Sequence, residues 1–551
     1  MEGRLLHRRR SRDSRARARA HGHPHPRSAR RRGSPGPGAH RPRSRGHGPG
    51  LLRWRGLGRD LGLGRLGHTP PGRARASGLR PRRRPRPARR PRGPADGAPR
   101  RPSGGCPVIR REAERRRGVV LVLVLGLLLL VVALALALGG EVAVECTVAA
   151  ERVDAVRLRA LADSAVERAL AALRHDDTPA SDSLFDAWRD EPSWGGLPGD
   201  GGRTWLLLRE PDPGDGVELR FGVRDEASKL DVNVASAEQL GALPGITEEA
   251  VEAILDWRDG DDEAREQGAE SAYYAALDPP YQAKNAPFES LDELLRVKGI
   301  DEAMLYGEDR NRNGRLDPGE DDGDRSFPPD DADGELDRGL VDYLTVFSRE
   351  LNRTAEGKAR LRWSQASPAE VEARLLAGGA SEAVAARVRL LRASAPSIGS
   401  RAELLARLGV SDRAQVAVLL EELTFVDADF VPGRINVNTA ARPVLAGLPG
   451  LEEEQVDAIL ARRADPTAEL SSPAWLLEVV PFATFIGIAD SLTTRSHQFT
   501  IDAVALLDDR PRSLRVEALV DRSYVPPRIL LRREISALGF PLPGERGEEL
   551  P

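Results

Sequence analysis

Cysteine is nearly missing from this 551-residue chain. The two copies, Cys106 and Cys146, lie on either side of a long apolar run, so a membrane would separate them and no intrachain disulfide framework can hold the fold together. Histidine is scarce where it would matter, with only His175 and His497 beyond that run. There is no glycine-rich phosphate loop, no zinc-ligand spacing and no sequence able to assemble a nucleophile, base and orienting acid. These absences argue against an enzyme. Acidic residues are almost lacking before position 118: residues 1–117 carry 36 Lys and Arg against 6 Asp and Glu, leaving 46 against 78 for the rest. A near-neutral total thus conceals a basic arm and an acidic body. The arm also lacks apolar periodicity, which excludes a packed core and predicts disorder. A basic tail of this kind can bind nucleic acid or anionic lipid; the blander expectation is a start codon assigned too far upstream, with Val108 an alternative start.

What is present begins with Val119–Gly140, an uncharged run directly behind Arg115-Arg116-Arg117-Gly118. About 20 apolar residues cross a bilayer as a helix, so the run predicts one membrane span. The arginines place its N-terminal side in the cytoplasm, and Glu141 and Glu145 begin the part that lies across the membrane. A cleaved signal peptide is the competing reading, with Ala135-Leu136-Ala137 a possible site. Against it, Val148, Val153, Val156, Leu158, Leu161, Ala165, Val166, Ala169 and Leu170 continue at helical spacing, which predicts one long helix over 119–175.

The acidic body contains a repeat. Lys229-Leu-Asp-Val-Asn-Val-Ala235 returns as Arg434-Ile-Asn-Val-Asn-Thr-Ala440, and Leu243-Pro-Gly-Ile246 as Leu448-Pro-Gly-Leu451, both 205 positions later. Each copy reads as a short extended segment, a helix, a Leu-Pro-Gly turn and a second helix, a helix-hairpin-helix pattern. A further helix follows each, starting at Ser290 and Ser472, and Ser400-Arg-Ala-Glu-Leu-Leu is a weaker cousin. Such hairpins can hold DNA phosphates at a helix N-terminus, but Glu248, Glu249, Glu452, Glu453 and Glu454 occupy these turns and would repel them. No nucleic-acid partner is expected. Strands are expected at 204–209, 217–224, 498–506 and 513–520, flanking the helical region on both sides. The resulting fold class is α+β: a long N-terminal transmembrane helix packed on a small antiparallel sheet, with a large inserted all-helical domain containing the repeats. The boundaries read 1–118 for arm and leader, 119–175 for the helix, 200–235 and 496–525 for the sheet, 236–430 and 431–495 for the helical units, and 526–551 for a tail.

One segment has the spacing of a calcium loop. Asp309, Asn311, Asn313, Asp317 and Glu320 fall at positions 1, 3, 5, 9 and 12, with Gly314 at 6 and Arg315 at 7 offering its carbonyl. Hard calcium takes six to eight oxygens, and this spacing wraps them about one point. Asp331, Asp333 and Asp337 echo part of the pattern. Asp259, Asp261 and Glu270, in an acidic cluster beginning at Asp256, are further candidates, though such charge runs are more often solvated loops.

Together these residues resemble a known family. Arg-Arg-Arg-Gly118 before an apolar helix is similar to a prepilin-peptidase site, with the cut between Gly118 and Val119. With Leu230-Asp-Val-Asn-Val, Asp256-Trp-Arg-Asp-Gly-Asp261, Gly268-Ala-Glu270, Phe288-Glu-Ser-Leu-Asp-Glu-Leu-Leu295 and Ile435-Asn-Val-Asn-Thr-Ala440, the chain resembles the minor pseudopilin K family of type II secretion systems over most of 115–525. Ordinary pseudopilins carry Glu at the fifth mature position, where this chain has Leu123; its lack fits the K subunit. The resemblance implies a pilin-like sheet, calcium, a non-enzymatic role at the tip of the secretion pseudopilus, and an inner-membrane anchor with the C-terminal domain periplasmic. Implied partners are the I and J minor pseudopilins, the inner-membrane assembly platform and prepilin peptidase. A membrane-anchored hairpin DNA receptor of a competence system is the alternative.

Overall fold

The computed structural model describes residues 109–176, 180–189, 192–209, 219–325, 330 and 332–542. Residues 1–108 of the basic arm, with Cys106 and Val108, and also Val217, Asp331 and the end of the tail lie outside them.

Helix α1 runs unbroken over Ile109–Arg174, about 100 Å at 1.5 Å per residue. Among the described residues nothing packs against its first apolar stretch from Val119, which is long and apolar enough to cross a membrane. Beyond Asp154 one face turns inward: Leu158, Leu161, Ala162, Ala165, Val166, Ala169, Leu170 and Leu173 are buried at three- and four-residue steps. Val148, Val153 and Val156, which share the helical spacing, belong to the exposed side. The extra turns of helix simply stand clear of the sheet there.

The buried face lies on an antiparallel sheet. Its strands are β1 (Leu197–Gly199), β2 (Gly202–Leu208), β3 (Arg220–Phe221), β4 (Arg224–Asp225), β5 (Gln498–Leu507), β6 (Ser513–Asp521) and β7 (Arg528–Glu534). The order is β1-β2-β5-β6-β7, with β3 pairing β2 and β4 pairing β5. The β5–β6 hairpin is in register from Gln498↔Asp521 to Leu506↔Ser513, around the polar turn legible in the sequence. Leu206, Phe499, Ile501, Ala503, Ala518 and Val520 meet α1, and Trp188 closes this core edge-on to Phe499 at 4.9 Å. Strand β7 corrects the expected tail: Arg-Ile-Leu-Leu-Arg-Arg-Glu has no alternation to reveal it, yet β6 supplies its ladder. The expected strand 217–224 is two short pieces, β3 and β4, broken at Gly222.

The chain leaves the sheet after β4 and returns at β5, and these two strands pair, Asp225 opposite Phe499. Between them lies the inserted domain. It is not all-helical, because parallel two-residue strand pairs organise it: Leu230–Asp231 with Leu344–Thr345, Leu361–Arg362 with Leu423–Thr424, and Ile435–Asn436 with Leu492–Thr493. Each pair brackets one unit, so there are three units where the sequence repeat indicates two. The first unit contains α2 (Ala237–Gly241), α3 (Glu248–Arg258) and α4 (Glu302–Tyr306). The second contains α5 (Pro368–Ala377), α6 (Glu382–Ser394), α7 (Arg401–Leu408) and α8 (Arg413–Glu422). The third contains α9 (Arg442–Ala446), α10 (Glu453–Arg463) and α11 (Phe482–Ile488).

A buried cation opens every unit and reaches across to the carbonyl just before the closing strand. Lys229 donates to Val341 at 2.7 Å, Arg360 to Glu421 at 3.2 Å and Arg434 to Asp490 at 3.3 Å. A second arginine, at the C-terminus of α3 and of α10, clamps the strand that opens its unit. Arg258 donates to the carbonyls of Val232 and Ala235, and Arg463 to the equivalent Val437 and Ala440. Buried carbonyls must find donors, and these basic residues supply them where a two-residue ladder cannot.

Candidate cation sites

The loop after α4 starts at Gly307, whose φ of +69° turns the chain away. Glu308 and Asp337 then exchange hydrogen bonds of 3.0 and 3.1 Å, closing the loop's base. Inside it, the Asp309 carboxylate accepts the backbone N–H groups of Asn313 and Gly314 at 2.9 and 2.8 Å, which needs the tight turn that Gly314 makes at φ +81°. Asp317 accepts the side-chain amides of Asn311 and Asn313 at 2.6 and 3.0 Å. Glu320 folds back onto the N–H groups of Asn311 and Asp317 at 3.3 and 3.0 Å. Five of the six residues singled out in the sequence are therefore brought together, and Arg315 lies within the same turn, its N–H bonded to the Asn313 side chain. Burial beside Asp309 and Asp317 pushes the Glu320 carboxyl up to about 7. Asn311 Oδ1 is buried without a donor. Carboxylates and amide oxygens, one of them orphaned, suit a hard divalent cation such as calcium.

This loop is wired to the sheet. Arg515 of β6, almost completely buried, donates to the carbonyls of Asn311 and Arg312 while its other edge grips Asp502 of β5 at 2.9 and 2.6 Å. Asn313 donates to the Pro541 carbonyl at 2.9 Å, and Arg209 at the end of β2 stands 3.6 Å from Asp309.

The second acidic cluster forms where α3 ends. Asp256, Asp259 and Glu270 each present an oxygen within 4.8 Å of the others. The sequence reading named Asp259, Asp261 and Glu270. The structure puts buried Asp256 in place of Asp261, which is exposed and caps the N–H of Glu263. One helical turn brings Asp256 under Asp259, a relation that counting charged residues in a loop does not reveal. Arg265 bridges Asp256 and Asp259, while both Glu270 oxygens and Asp259 Oδ1 are buried without a donor. Burial and the neighbouring Asp256 and Asp259 push Glu270 up to about 7. A Cβ at Gly268 would collide with Asp256, so this position keeps glycine. Three oxygens lacking donors make this cluster a better fit to a cation than the sequence indicated.

The echo motif is different. Asp333 is exposed and caps Glu335 at 2.8 Å, Asp337 closes the base of the calcium-type loop, and Asp331 lies outside the described residues. A third acidic group, Asp176, Asp182 and Asp186, has no sequence signal because the loop after α1 gathers it. There Arg522 already serves as the cation, 2.8 Å from Asp176 and 2.6 Å from Asp182. Gly118 and Val119 both lie within α1.

Residues 225–306 match the family model described as type II secretion system (T2SS), protein K. A curated relative, type II secretion system protein K of Pseudomonas aeruginosa, is 32% identical over 143 residues, which is 25% of this chain and 42% of that protein. The chain thus matches less than half the length of that relative. A solved structure of the GspK-GspI-GspJ complex from the enterotoxigenic Escherichia coli type 2 secretion system aligns over 70% of this chain and 98% of the solved one, at 13% identity and a TM-score of 0.37.

Proposed function

We propose that this chain, whose residues 225–306 match the type II secretion protein K model, is a minor pseudopilin at the tip of the secretion pseudopilus, supporting export across the outer membrane. The observation that carries this reading is α1 itself: one helix is bare and apolar where a membrane would be, then lies on an antiparallel sheet whose inserted domain opens with the segment matching the family model. The apolar part anchors the subunit in the inner membrane until assembly, with the C-terminal body periplasmic, and afterwards packs among other subunits' helices. The I and J minor pseudopilins and the assembly platform are its partners. Leu123 in place of an acid suits a subunit with no predecessor whose amino terminus it must pair. The paired short helices of the first and third units are read as helix-hairpin-helix elements turned to structural use, since glutamates begin α3 and α10. Calcium occupies the loop 309–320 and the cluster Asp256, Asp259 and Glu270, neutralising carboxylates whose repulsion would otherwise open both. No catalytic step is assigned to it.

Prepilin peptidase would cut between Gly118 and Val119. Mass spectrometry of the mature amino terminus tests this, with Val119 expected first and Gly118→Leu leaving an uncut precursor. A terminus near Glu141 would mean signal-peptide cleavage and overturn the assignment.

A further inference from the structure

Four arginines converge where the second and third units of the inserted domain meet. Arg360 and Arg434 open those units, Arg401 begins α7, and Arg495 follows the last short strand. All four are at least nine-tenths buried. Three carboxylates face them. Glu350 accepts from Arg360 at 2.6 Å and Arg434 at 2.7 Å; Glu421 accepts from Arg495 at 2.6 Å and lies 3.7 Å from Arg360. Asp490 caps α7, taking the backbone N–H groups of Arg401 and Ala402 at 2.8 and 3.3 Å.

One positive charge is therefore in excess, and it falls to Arg401. Its guanidinium reaches only the carbonyls of Leu492 and Leu420, at 3.3 and 3.2 Å. Two N–H groups of the cluster, Nη1 of Arg360 and Nε of Arg401, are buried with no acceptor. Burial and the like charges of Arg434 and Arg360 drive the Arg401 guanidinium well down from its ordinary value, against the pull of Glu350 and Asp490. Arginine does not give up its proton to relieve such a site. An uncompensated charge away from water is costly, and the remaining remedy is a counter-ion.

There is room for one. Arg360, Arg401, Ser472, Leu492 and Thr493 line a cavity of about 20 Å³, above the ~10–15 Å³ that one water-sized particle requires. Glu350 and Glu421 also line it, each already facing two arginines. Ser472 accepts an N–H from Ala474, so its own proton is available to an anion. We propose that this cavity holds a single halide ion, bound by Arg360 Nη1 and Arg401 Nε, which fastens the second unit to the third. A halide suits it better than a carboxylate or phosphate, because about 20 Å³ is little more than one water-sized particle needs. The second unit has the weakest sequence likeness to the other two, and a shared ion gives it a fixed seat beside the third.

The experiment is thermal unfolding of the full chain in detergent micelles, in sodium chloride or bromide against sodium gluconate at one ionic strength. Gluconate is too large to enter. Halide should raise the melting temperature by roughly 2–4 °C and saturate, as a bound ligand does. Arg401→Met removes the excess charge and should melt alike in both salts, and crystals grown with bromide should show an anomalous peak between Arg360 and Arg401. Equal melting of the unaltered chain in halide and gluconate with no bromide peak would mean that the cavity holds water only, and overturns the proposal. So does a halide effect of the same size in Arg401→Met, which would be a general salt effect on the surface. If that variant does not fold, the peak and the saturation in the unaltered chain decide.

Discussion

Replacing Arg515 with methionine should be among the most damaging single changes in the molecule. The side chain is 2% exposed and does two jobs at once: it neutralises Asp502 on the neighbouring strand and fills the carbonyls of Asn311 and Arg312 in the loop that follows α4. Methionine keeps most of the volume, so little of the loss is packing. What is lost is charge. Asp502, only 8% exposed, is left without its cation, and removing one partner of a buried pair costs about 3–5 kcal/mol. Two orphaned carbonyls add to this, though not additively, since all three groups share one guanidinium. At about 2 °C per kcal/mol for a body of this size, the melting temperature should fall by roughly 6–10 °C. The diagnostic is a second substitution. Asp502→Asn removes the stranded charge, so Asp502→Asn with Arg515→Met should recover a large share of the loss. Calorimetry of the full chain in micelles measures both. The reasoning is refuted if Arg515→Met melts within about 1 °C of the unaltered chain, or if the double variant is no better than the single one.

Calcium should raise the melting temperature near millimolar concentration, as extracytoplasmic sites often bind at about 10⁻⁴–10⁻³ M, and Glu320→Gln together with Glu270→Gln should remove most of the gain; identical melting with calcium and with chelator would sink both sites. Burial pushes Asp182 up to about 7, Asp225 adding to the effect and Arg522 only partly opposing it. Folding therefore favours its protonated form, a contribution present below about pH 4 and lost as pH rises to 7. Asp182→Asn, which is insensitive to pH, should gain stability relative to the unaltered chain over that interval, and a constant difference between the two melting curves would show that Asp182 does not titrate there. Deleting residues 2–107 should leave membrane insertion and secretion intact, because Arg110 to Arg117 still orient the span; lost secretion would assign the arm a role.

The long helix and the β5–β6 hairpin were legible because each is local: period and turn chemistry lie in consecutive residues. The repeat was legible only where its sequence survived. Lys229 to Ala235 and Arg434 to Ala440 share their Asn, but the middle unit begins Arg360-Leu-Arg-Trp-Ser364, and only its basic first residue and the later Ser400-Arg-Ala-Glu-Leu-Leu remain as signals. Its equivalence rests on a hydrogen bond across 61 residues, from Arg360 to Glu421, which no local pattern records. The candidate cation loop was readable because its carboxylates and amides are spaced along one turn. Asp256 was hidden at the end of an amphipathic helix, and the Arg515 fork, joining residues over 200 positions apart, could not be read at all.

The meeting of β4 and β5 at the base of the insertion bears on how such a chain reaches its native state. Strand β2 cannot pair with β5 until almost 300 residues of intervening polypeptide have been closed into a loop, a slow kind of contact to form. If the three units assemble first, their own packing brings Asp225 and Phe499 side by side, and what remains to be closed is the much shorter segment between Leu207 and Asp225. The entropy saved by that shortening is roughly 2 kcal/mol. The inserted domain would then act as the template that delivers both halves of the sheet to each other. Damage to it would delay or misdirect the sheet even when every sheet residue is unchanged, leaving unpaired strands open to aggregation.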